Sequence, residues 1–165
     1  MKSIQSIFSV LIISSILISC GYQLRGSADL GSLGEIRVVS NGYTSISKLL
    51  VNRLGSSSLA QDSDLDTYPI IKIISISGKK RQLSVNSSGR VDEYEISKSL
   101  DYELLLSENV KIKNTIKASA SYDFNESQMQ GTKEQELIAN NAIDRVLVRK
   151  LIHKIKSKIK SSNPR

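Results

Sequence analysis

The chain has 165 residues, a length that suits one small domain with a modest core. Its 23 basic side chains outnumber 16 acidic ones, so nucleic acid, anionic lipid or an acidic protein surface could each be a partner. One cysteine excludes a disulfide bond within the chain. One histidine, His153, supplies neither a nucleophile–base pair nor a metal-ligand spacing, so we expect a binding or structural protein without a metal site and not an enzyme.

The first 19 residues have the pattern of a secretion signal. They carry one charge, Lys2, then the apolar core IFSVLIISSILIS and a small residue, Ser19. The core is about 13 residues long, which falls short of the ~20 that cross a bilayer comfortably. The segment 17–20, Leu-Ile-Ser-Cys, resembles a lipobox, the signal at which bacterial lipoproteins are cleaved and acylated. It predicts removal of residues 1–19, diacylglycerol on the Cys20 sulfur and a palmitoyl chain on its new amine.

The predicted lipid anchor has consequences for location and partners. Three acyl chains would hold the protein stably on a membrane, whereas one chain alone binds only marginally. Gly21 stands where an aspartate would resemble the signal for retention in the inner membrane, so we expect the periplasmic side of the outer membrane. Export argues against nucleic acid as a partner and leaves anionic lipid or an acidic protein surface.

Short patterns predict a strand and then a helix after residues 20–34, the segment that would tether the domain to the lipid. Residues 35–40 are β-prone and end at the turn signal Asn41-Gly42. Residues 44–55 predict a helix that Thr44 or Ser45 caps and Gly55 ends. Its apolar face consists of Ile46, Leu49, Leu50 and Leu54. The polar stretch that follows, QDSDLDT at 61–67, predicts a loop.

An isoleucine-rich stretch, residues 70–77, predicts the second strand. We expect Gly78 to interrupt it. The basic triplet Lys79-Lys80-Arg81 follows, and residues 86–89, Asn-Ser-Ser-Gly, predict a turn.

The strongest periodic signal predicts a hairpin of two long strands. Over residues 92–106 and 110–124 apolar side chains take the even positions and polar ones the odd positions, so each strand buries one face. Lys98 and Asn114 break the apolar faces, and either could mark a bulge or a sheet edge.

The charges of these strands predict their register. A three-residue connection at 107–109 would pair Leu106 with Val110. Glu103 would then lie opposite Lys113, and Ser99 opposite Lys117. Opposite charges across an antiparallel pair contribute about 0.2–1 kcal/mol each, which supports this register.

The last segment predicts a long basic helix. Thr132 and Gln135 match a capping box at its start. The apolar positions on one face are Ile143, Leu147, Leu151, Ile155 and Ile159. Basic residues occupy most of the remaining surface from 145 to 160, which could contact anionic lipid or an acidic partner or could simply be a solvated face.

The element order β-α-β-β-β-α predicts an α+β fold. Helices and hairpin each have one apolar face, so the economical arrangement is a two-layer α/β sandwich, with two helices packed on a mostly antiparallel four-stranded sheet. The expected organisation is a signal peptide at 1–19, a lipidated tether at 20–34, one domain at 35–160 and a disordered tail at 161–165.

Four segments together resemble the LptE family of lipopolysaccharide-assembly lipoproteins. The mature start 20–26, CGYQLRG, is similar to the family's first residues, and 88–95, SGRVDEYE, is similar to its glycine followed by a Glu-Tyr pair. Residues 122–129 resemble its aromatic-Asp segment, and 133–138, KEQELI, resemble the start of its last helix. The segments occur in the family's order behind a lipobox and span almost the whole mature chain.

The resemblance implies a non-enzymatic role at the outer membrane. Members of the family plug the β-barrel of a partner, LptD, help it to assemble, and bind lipopolysaccharide for delivery to the outer leaflet. No cofactor is implied beyond the covalent lipids on Cys20. The alternative is a freestanding periplasmic lipoprotein that binds anionic lipid or a cell-wall ligand.

The resemblance also suggests which residues contact lipopolysaccharide. Lys133 matches a family position that contributes a basic side chain to that contact, although a lysine there could simply be solvated. The triplet Lys79, Lys80 and Arg81 would suit lipid A phosphates through charge-assisted hydrogen bonds, or could be a solvated loop that discourages edge pairing. Some relatives carry a basic residue where Ser87 stands, and Arg90 could take over that contact.

Overall fold

The computed structural model describes residues 36–40, 42, 44–54, 59–60 and 69–162. The signal segment, Cys20 and its tether, Gly55 and the loop predicted at 61–67 lie outside the described residues. The elements within them are β1 (Arg37–Ser40), α1 (Ser45–Leu54), β2 (Leu59–Ala60), β3 (Ile70–Val85), β4 (Val91–Ser107), β5 (Val110–Asp123) and α2 (Met129–Ser162).

The described strands form one open mixed sheet in the order β2-β1-β3-β4-β5. β1 runs parallel to β2 and to β3, whereas β3 and β4, and β4 and β5, are antiparallel. Because β2 has only two residues, four strands dominate the sheet. The predicted α+β sandwich of two helices on a mostly antiparallel sheet is confirmed.

The third strand, β3, is twice as long as the sequence pattern predicts. The prediction that Gly78 interrupts it was wrong, because β4 pairs with β3 on both sides of the glycine and Gly78 itself lies opposite Lys98. Pairing with a long neighbour outweighs the weak strand preference of one glycine. As a result Lys79, Lys80 and Arg81 lie within a strand and not in a loop, so successive side chains point to opposite faces.

The body of the β4–β5 hairpin has the predicted register. Glu103 pairs with Lys113 and Ser99 with Lys117. The Glu103 carboxylate lies 3.9 Å from the Lys113 ammonium. The alternating pattern and the charges of the two strands were therefore sufficient to place them against each other.

At the hairpin turn the register shifts by one residue. Ser107, and not Leu106, pairs with Val110, so the connection consists of residues 108–109. The predicted three-residue connection was wrong. The shift places Leu106 in a bulge, which lets a short hairpin turn close without changing the register of the strand bodies.

Thr44 caps α1, one of the two caps that the sequence allowed. Its Oγ1 accepts a hydrogen bond from the Ser47 backbone N–H at 3.1 Å, and the Ser47 Oγ accepts one from the Thr44 N–H at 3.0 Å. This reciprocal pair is a capping box with serine in the third helical position. The buried residues of α1 are Ile46, Ser47 and Leu50.

The last helix, α2, begins earlier than predicted. Thr132 lies inside it and is buried, and its Oγ1 exchanges hydrogen bonds of 3.2 Å with the backbone of Asn125. The capping box at Thr132 was therefore wrong. Asn125 instead caps a short 3₁₀ turn at Glu126–Gln128 that leads into the helix. At its other end α2 continues through Ser162, two residues into the predicted tail.

The main core lies between the helices and one face of the sheet. At 34 residues α2 is about 51 Å long, and it packs along β5 and β4 with α1 beside it. The fully buried side chains include Val38, Ile46, Leu50, Ile71, Leu100, Leu104, Ile143, Leu147, Leu151 and Ile155. Neither helix of the described residues is both long and apolar enough to cross a membrane.

A polar contact joins three elements at the edge of this core. Lys98 interrupts the apolar face of β4 without a bulge, and its Nζ lies 2.7 Å from Asp144 Oδ1 on α2. The Ser45 hydroxyl at the start of α1 donates to Asp144 Oδ2 at 2.6 Å. The lysine and aspartate side chains are only 18% and 5% exposed. The second interruption, Asn114, lies on β5, an edge strand of the sheet.

Candidate functional site

All five cations that the sequence singled out lie toward one end of the sandwich, here called the distal end. It consists of the last part of β3 at 79–85, the β3–β4 turn at 86–90, the connection at 124–128 and the first turns of α2. The cations are Lys79, Lys80, Arg81, Arg90 and Lys133. They differ in their partners. Three form ion pairs with carboxylates of this chain, and two have no such partner within the described residues.

The β3–β4 turn is rigid and holds Arg90 at the tip. Asn86 Oδ1 accepts hydrogen bonds from the backbone N–H groups of Ser88 and Arg90 at 3.0 and 3.1 Å. Gly89 has a φ of 75°, a conformation that glycine adopts without steric cost. The Arg90 guanidinium reaches Glu126 at 3.5 Å, but both side chains are well exposed, so the pair contributes at most about 1 kcal/mol. An anionic ligand could displace Glu126 at little cost.

The basic triplet does not form one patch, because the strand divides it between the two faces of the sheet. Lys79 and Arg81 lie on the helix-free face, defined as the face opposite α1 and α2. The Arg81 Nε donates to Glu95 Oε2 at 2.5 Å. Lys79 lines a shallow groove of about 270 Å³ together with Lys117 and three serines of β3 and β4. Of the triplet, only Lys79 is uncommitted within the described residues.

Lys80 points to the helix side, into an aromatic cluster that the sequence did not predict. Its Nζ lies 2.8 Å from Glu136 Oε2 on α2, and 4.6 and 5.1 Å from the ring centroids of Tyr94 and Tyr122. The Tyr122 hydroxyl donates to the same Glu136 oxygen at 2.9 Å, and Phe124 packs edge-on against Tyr94. Lys80 therefore joins the sheet to α2. The predicted register already paired the two tyrosines, but Glu136 required the position of the helix.

The Lys80 cluster predicts a pH dependence of stability. The hydrogen bond from Lys80 lowers the pKa of Glu136 below its ordinary value, with burial acting against it. A lowered pKa stabilises the fold fully above the unfolded value of about 4.3, and this contribution is lost as the pH falls through the lower folded pKa. We expect Glu136→Gln to flatten the acid decline in the free energy of unfolding, measured by urea denaturation between about pH 3 and 7.

The neighbouring Glu134 provides the matched control for this measurement. It is exposed and has no ion pair within the described residues, so Glu134→Gln removes a carboxylate of the same helix without touching the cluster. If the free energy of unfolding fell as steeply toward acid pH in Glu136→Gln as in Glu134→Gln, the stabilising role given to the Glu136 carboxylate would be contradicted.

Exposed apolar side chains accompany the cations of the distal end. Lys133 is exposed, and Leu137 lies one helical turn further on the same face with 54% of its surface exposed. Of the seven large apolar side chains exposed in the described part of the chain, five belong to this end: Leu83, Val85, Met129, Leu137 and Ile138. Sequence reasoning missed these exposed side chains. A signal was present for two of them, because Leu137 and Ile138 precede the regular apolar positions of α2, which begin at Ile143.

The distal end can therefore bind an amphiphilic anion. Lys79, Arg90 and Lys133 are the cations that a ligand could reach, and the apolar side chains offer surface for hydrocarbon. Within the described ranges no three histidine, cysteine, aspartate or glutamate side chains come together as a metal site would require. The geometry of the described residues suits recognition of such a ligand.

A known protein family matches most of the chain. A family model described as LptE, lipopolysaccharide-assembly, matches residues 33–159. None of the curated proteins searched matches the chain.

Solved structures of three bacterial lipoproteins share the fold. The rare lipoprotein B from Shewanella oneidensis is 18% identical, covers 78% of this chain and 99% of its own, and has a TM-score of 0.62. A lipoprotein B from Nitrosomonas europaea is 18% identical over 76% of this chain and 84% of its own, with a TM-score of 0.63. The minor lipoprotein from Acinetobacter baumannii is 15% identical over 75% and 91%, with a TM-score of 0.58.

Proposed function

Because this chain belongs to the LptE family of lipopolysaccharide-assembly proteins, we propose that it is the plug subunit of an LptD-type outer-membrane β-barrel and binds lipopolysaccharide for delivery to the outer leaflet. The observation that supports lipopolysaccharide as the ligand is the combination of accessible cations and exposed apolar side chains at the distal end. Lipopolysaccharide offers phosphates and acyl chains close together. Anionic phospholipids do so too, and membership of the family is what favours lipopolysaccharide.

The contacts of the distal end suggest a division of roles. Lys133 and Arg90 provide charge-assisted hydrogen bonds to phosphate, with Glu126 as the group that the ligand displaces from Arg90. Leu137 supplies apolar surface one turn from Lys133. Lys79 extends the positive potential onto the helix-free face, whereas the charge of Arg81 is balanced there by Glu95. Lys80 acts indirectly, since its bond to Glu136 holds α2 against the sheet.

The helix-free face supports the plug role. From Ser75 onward it carries hydroxyl groups and paired charges, as where Asp101 accepts hydrogen bonds from Ser75 at 2.7 Å and from Thr115 at 2.6 Å. The lumen of a large barrel is polar, so such a face could lie against it without burying apolar surface. Diacylglycerol and palmitate on Cys20 would keep the plug at the outer membrane and raise its effective concentration for the barrel.

We expect the full chain, extracted in mild detergent through a C-terminal tag, to co-purify with a large outer-membrane barrel. In the same preparation Lys133→Asp with Arg90→Asp should weaken lipopolysaccharide capture by at least about tenfold, since each charged hydrogen bond contributes about 1.5–3 kcal/mol. Both side chains are exposed, so the fold should stay intact and barrel association should survive.

The control for this experiment is Lys158→Asp with Lys160→Asp. It makes the same change in net charge near the other end of α2, on exposed side chains. Equal loss of capture in both variants would show that overall charge, and not the distal end, attracts the lipid. A wild-type chain that purifies without a barrel would favour the freestanding lipoprotein instead.

A further inference from the structure

A second cationic site lies away from Arg90 and Lys133, in a cleft between β5 and the C-terminal half of α2. Lys117 lines both this cleft and the groove beside Lys79. The cleft has a volume of about 420 Å³, within the range of small-ligand sites. Its lining residues are Thr115, Ile116, Lys117, Arg149, Lys150, His153 and Lys154. From Lys133 to Arg149 the helix rises about 24 Å, so one phosphate group cannot contact both sites.

The positive charges that α2 contributes to this cleft have no carboxylate partner within the described residues. Lys150 Nζ donates to the backbone oxygen of Lys117 at 2.8 Å, and Lys154 Nζ lies 3.4 Å from Asn114 Oδ1. Both acceptors are neutral, so they orient the ammonium groups without compensating their charge. Arg149 has no ion pair within the described residues. No acidic side chain lines the cleft.

The two hydrogen bonds also hold the cations in place. Lys150 is bound to the backbone of β5 and Lys154 to a side chain of the same strand, so their ammonium groups lie at the strand edge and not free in solvent. Side chains ordered in this way lose less conformational entropy when an anion binds. A fixed group of like charges around a concave surface is therefore a prepared anion site.

We propose that the cleft between β5 and α2 binds a phosphate-bearing ligand, a phosphate monoester or pyrophosphate group carried by a lipid headgroup or a soluble sugar. The arrangement of Arg149, Lys150 and Lys154 suits a multiply charged group, and the volume suits a headgroup better than a stretch of polypeptide, whose interfaces are much larger. The site is separate from Arg90 and Lys133, the two residues proposed to contact the phosphates of lipopolysaccharide.

His153 makes the proposal directly measurable. It is the only histidine of the chain and lines the cleft, so its two ring C–H protons give reporter signals that can be assigned to this residue. We expect inorganic pyrophosphate, titrated into the full chain in non-ionic detergent, to shift these NMR signals saturably. Arg149→Gln with Lys154→Gln should weaken the binding by at least about tenfold, since two charge-assisted hydrogen bonds are lost.

The matched control is Lys158→Gln with Lys160→Gln, which removes two charges of the same helix outside the cleft. It should leave the affinity within about twofold, apart from a weak general electrostatic effect. Equal weakening in both variants, or the absence of a saturable shift in the wild type, would overturn the proposal. So would a polyglutamate peptide that shifts the signals where pyrophosphate does not.

Sedimentation with vesicles that contain phosphatidic acid identifies the source of the phosphate. Binding that depends on Arg149 and Lys154 assigns the cleft to a lipid headgroup, whereas pyrophosphate binding without it assigns a soluble ligand. Lys133→Asp should leave the His153 response intact, so failure of the distal site and failure of the cleft can be distinguished.

Discussion

Replacing Asp144 by alanine is expected to lower the free energy of unfolding by about 3 kcal/mol. The substitution leaves the Lys98 ammonium in a largely buried position without its counter-charge, a change that typically costs about 3–5 kcal/mol. Lys98 is 18% exposed and can turn partly toward solvent, which favours the lower end of this range. The hydroxyl of Ser45 loses its acceptor as well, so the start of α1 is loosened from α2.

A double substitution separates the cost of the unpaired charge from the value of the pair. In Lys98→Met with Asp144→Leu both charges are replaced by apolar groups of similar size. We expect it to be within about 1 kcal/mol of the wild type or more stable, because desolvation of two ions offsets most of their attraction. Urea denaturation of the full chain measures all variants, with Asp123→Ala as an exposed control. A double variant as unstable as Asp144→Ala alone would show that loss of shape, and not the lone charge, is responsible.

The hairpin shows which part of the fold a single sequence can determine. Its register follows from period-two alternation together with one acidic strand and one basic strand, both of which are local patterns. The full length of β3 does not, because the residues around Gly78 are held in a strand by pairing with β4. The start of α2 was misplaced for a different reason, since the Thr132 hydroxyl bonds the backbone of Asn125 seven residues earlier, and a 3₁₀ turn capped by Asn125 precedes the helix.

The sequence was enough to predict which basic residues form the candidate site, but it could not predict which groups they contact. Lys133 and Arg90 came from resemblance to a family, and the sequence could not tell that Glu126 faces Arg90 across the turn. Lys80 was grouped with its neighbours, but its role depends on a helix more than 50 residues later in the chain. His153 offered no chemistry by itself and gains significance only from the cleft that it lines.

A comparably large effect on stability is expected from Leu147→Ala, at about 2–5 kcal/mol. Leu147 is fully buried on α2, so truncation removes apolar contact and leaves a cavity in the main core.

The same helix supplies a nearly exact control for this substitution. Leu137→Ala makes an identical chemical change on a side chain that is 54% exposed, so the helix propensities of leucine and alanine cancel in the comparison. We expect Leu137→Ala to change the free energy of unfolding by about 0.5 kcal/mol or less. If the distal end binds lipid through apolar contact, the same variant should nevertheless reduce lipopolysaccharide capture. Equal destabilisation by the two variants would mean that Leu137 is covered in the folded protein, and the apolar surface assigned to the ligand would then belong to the fold.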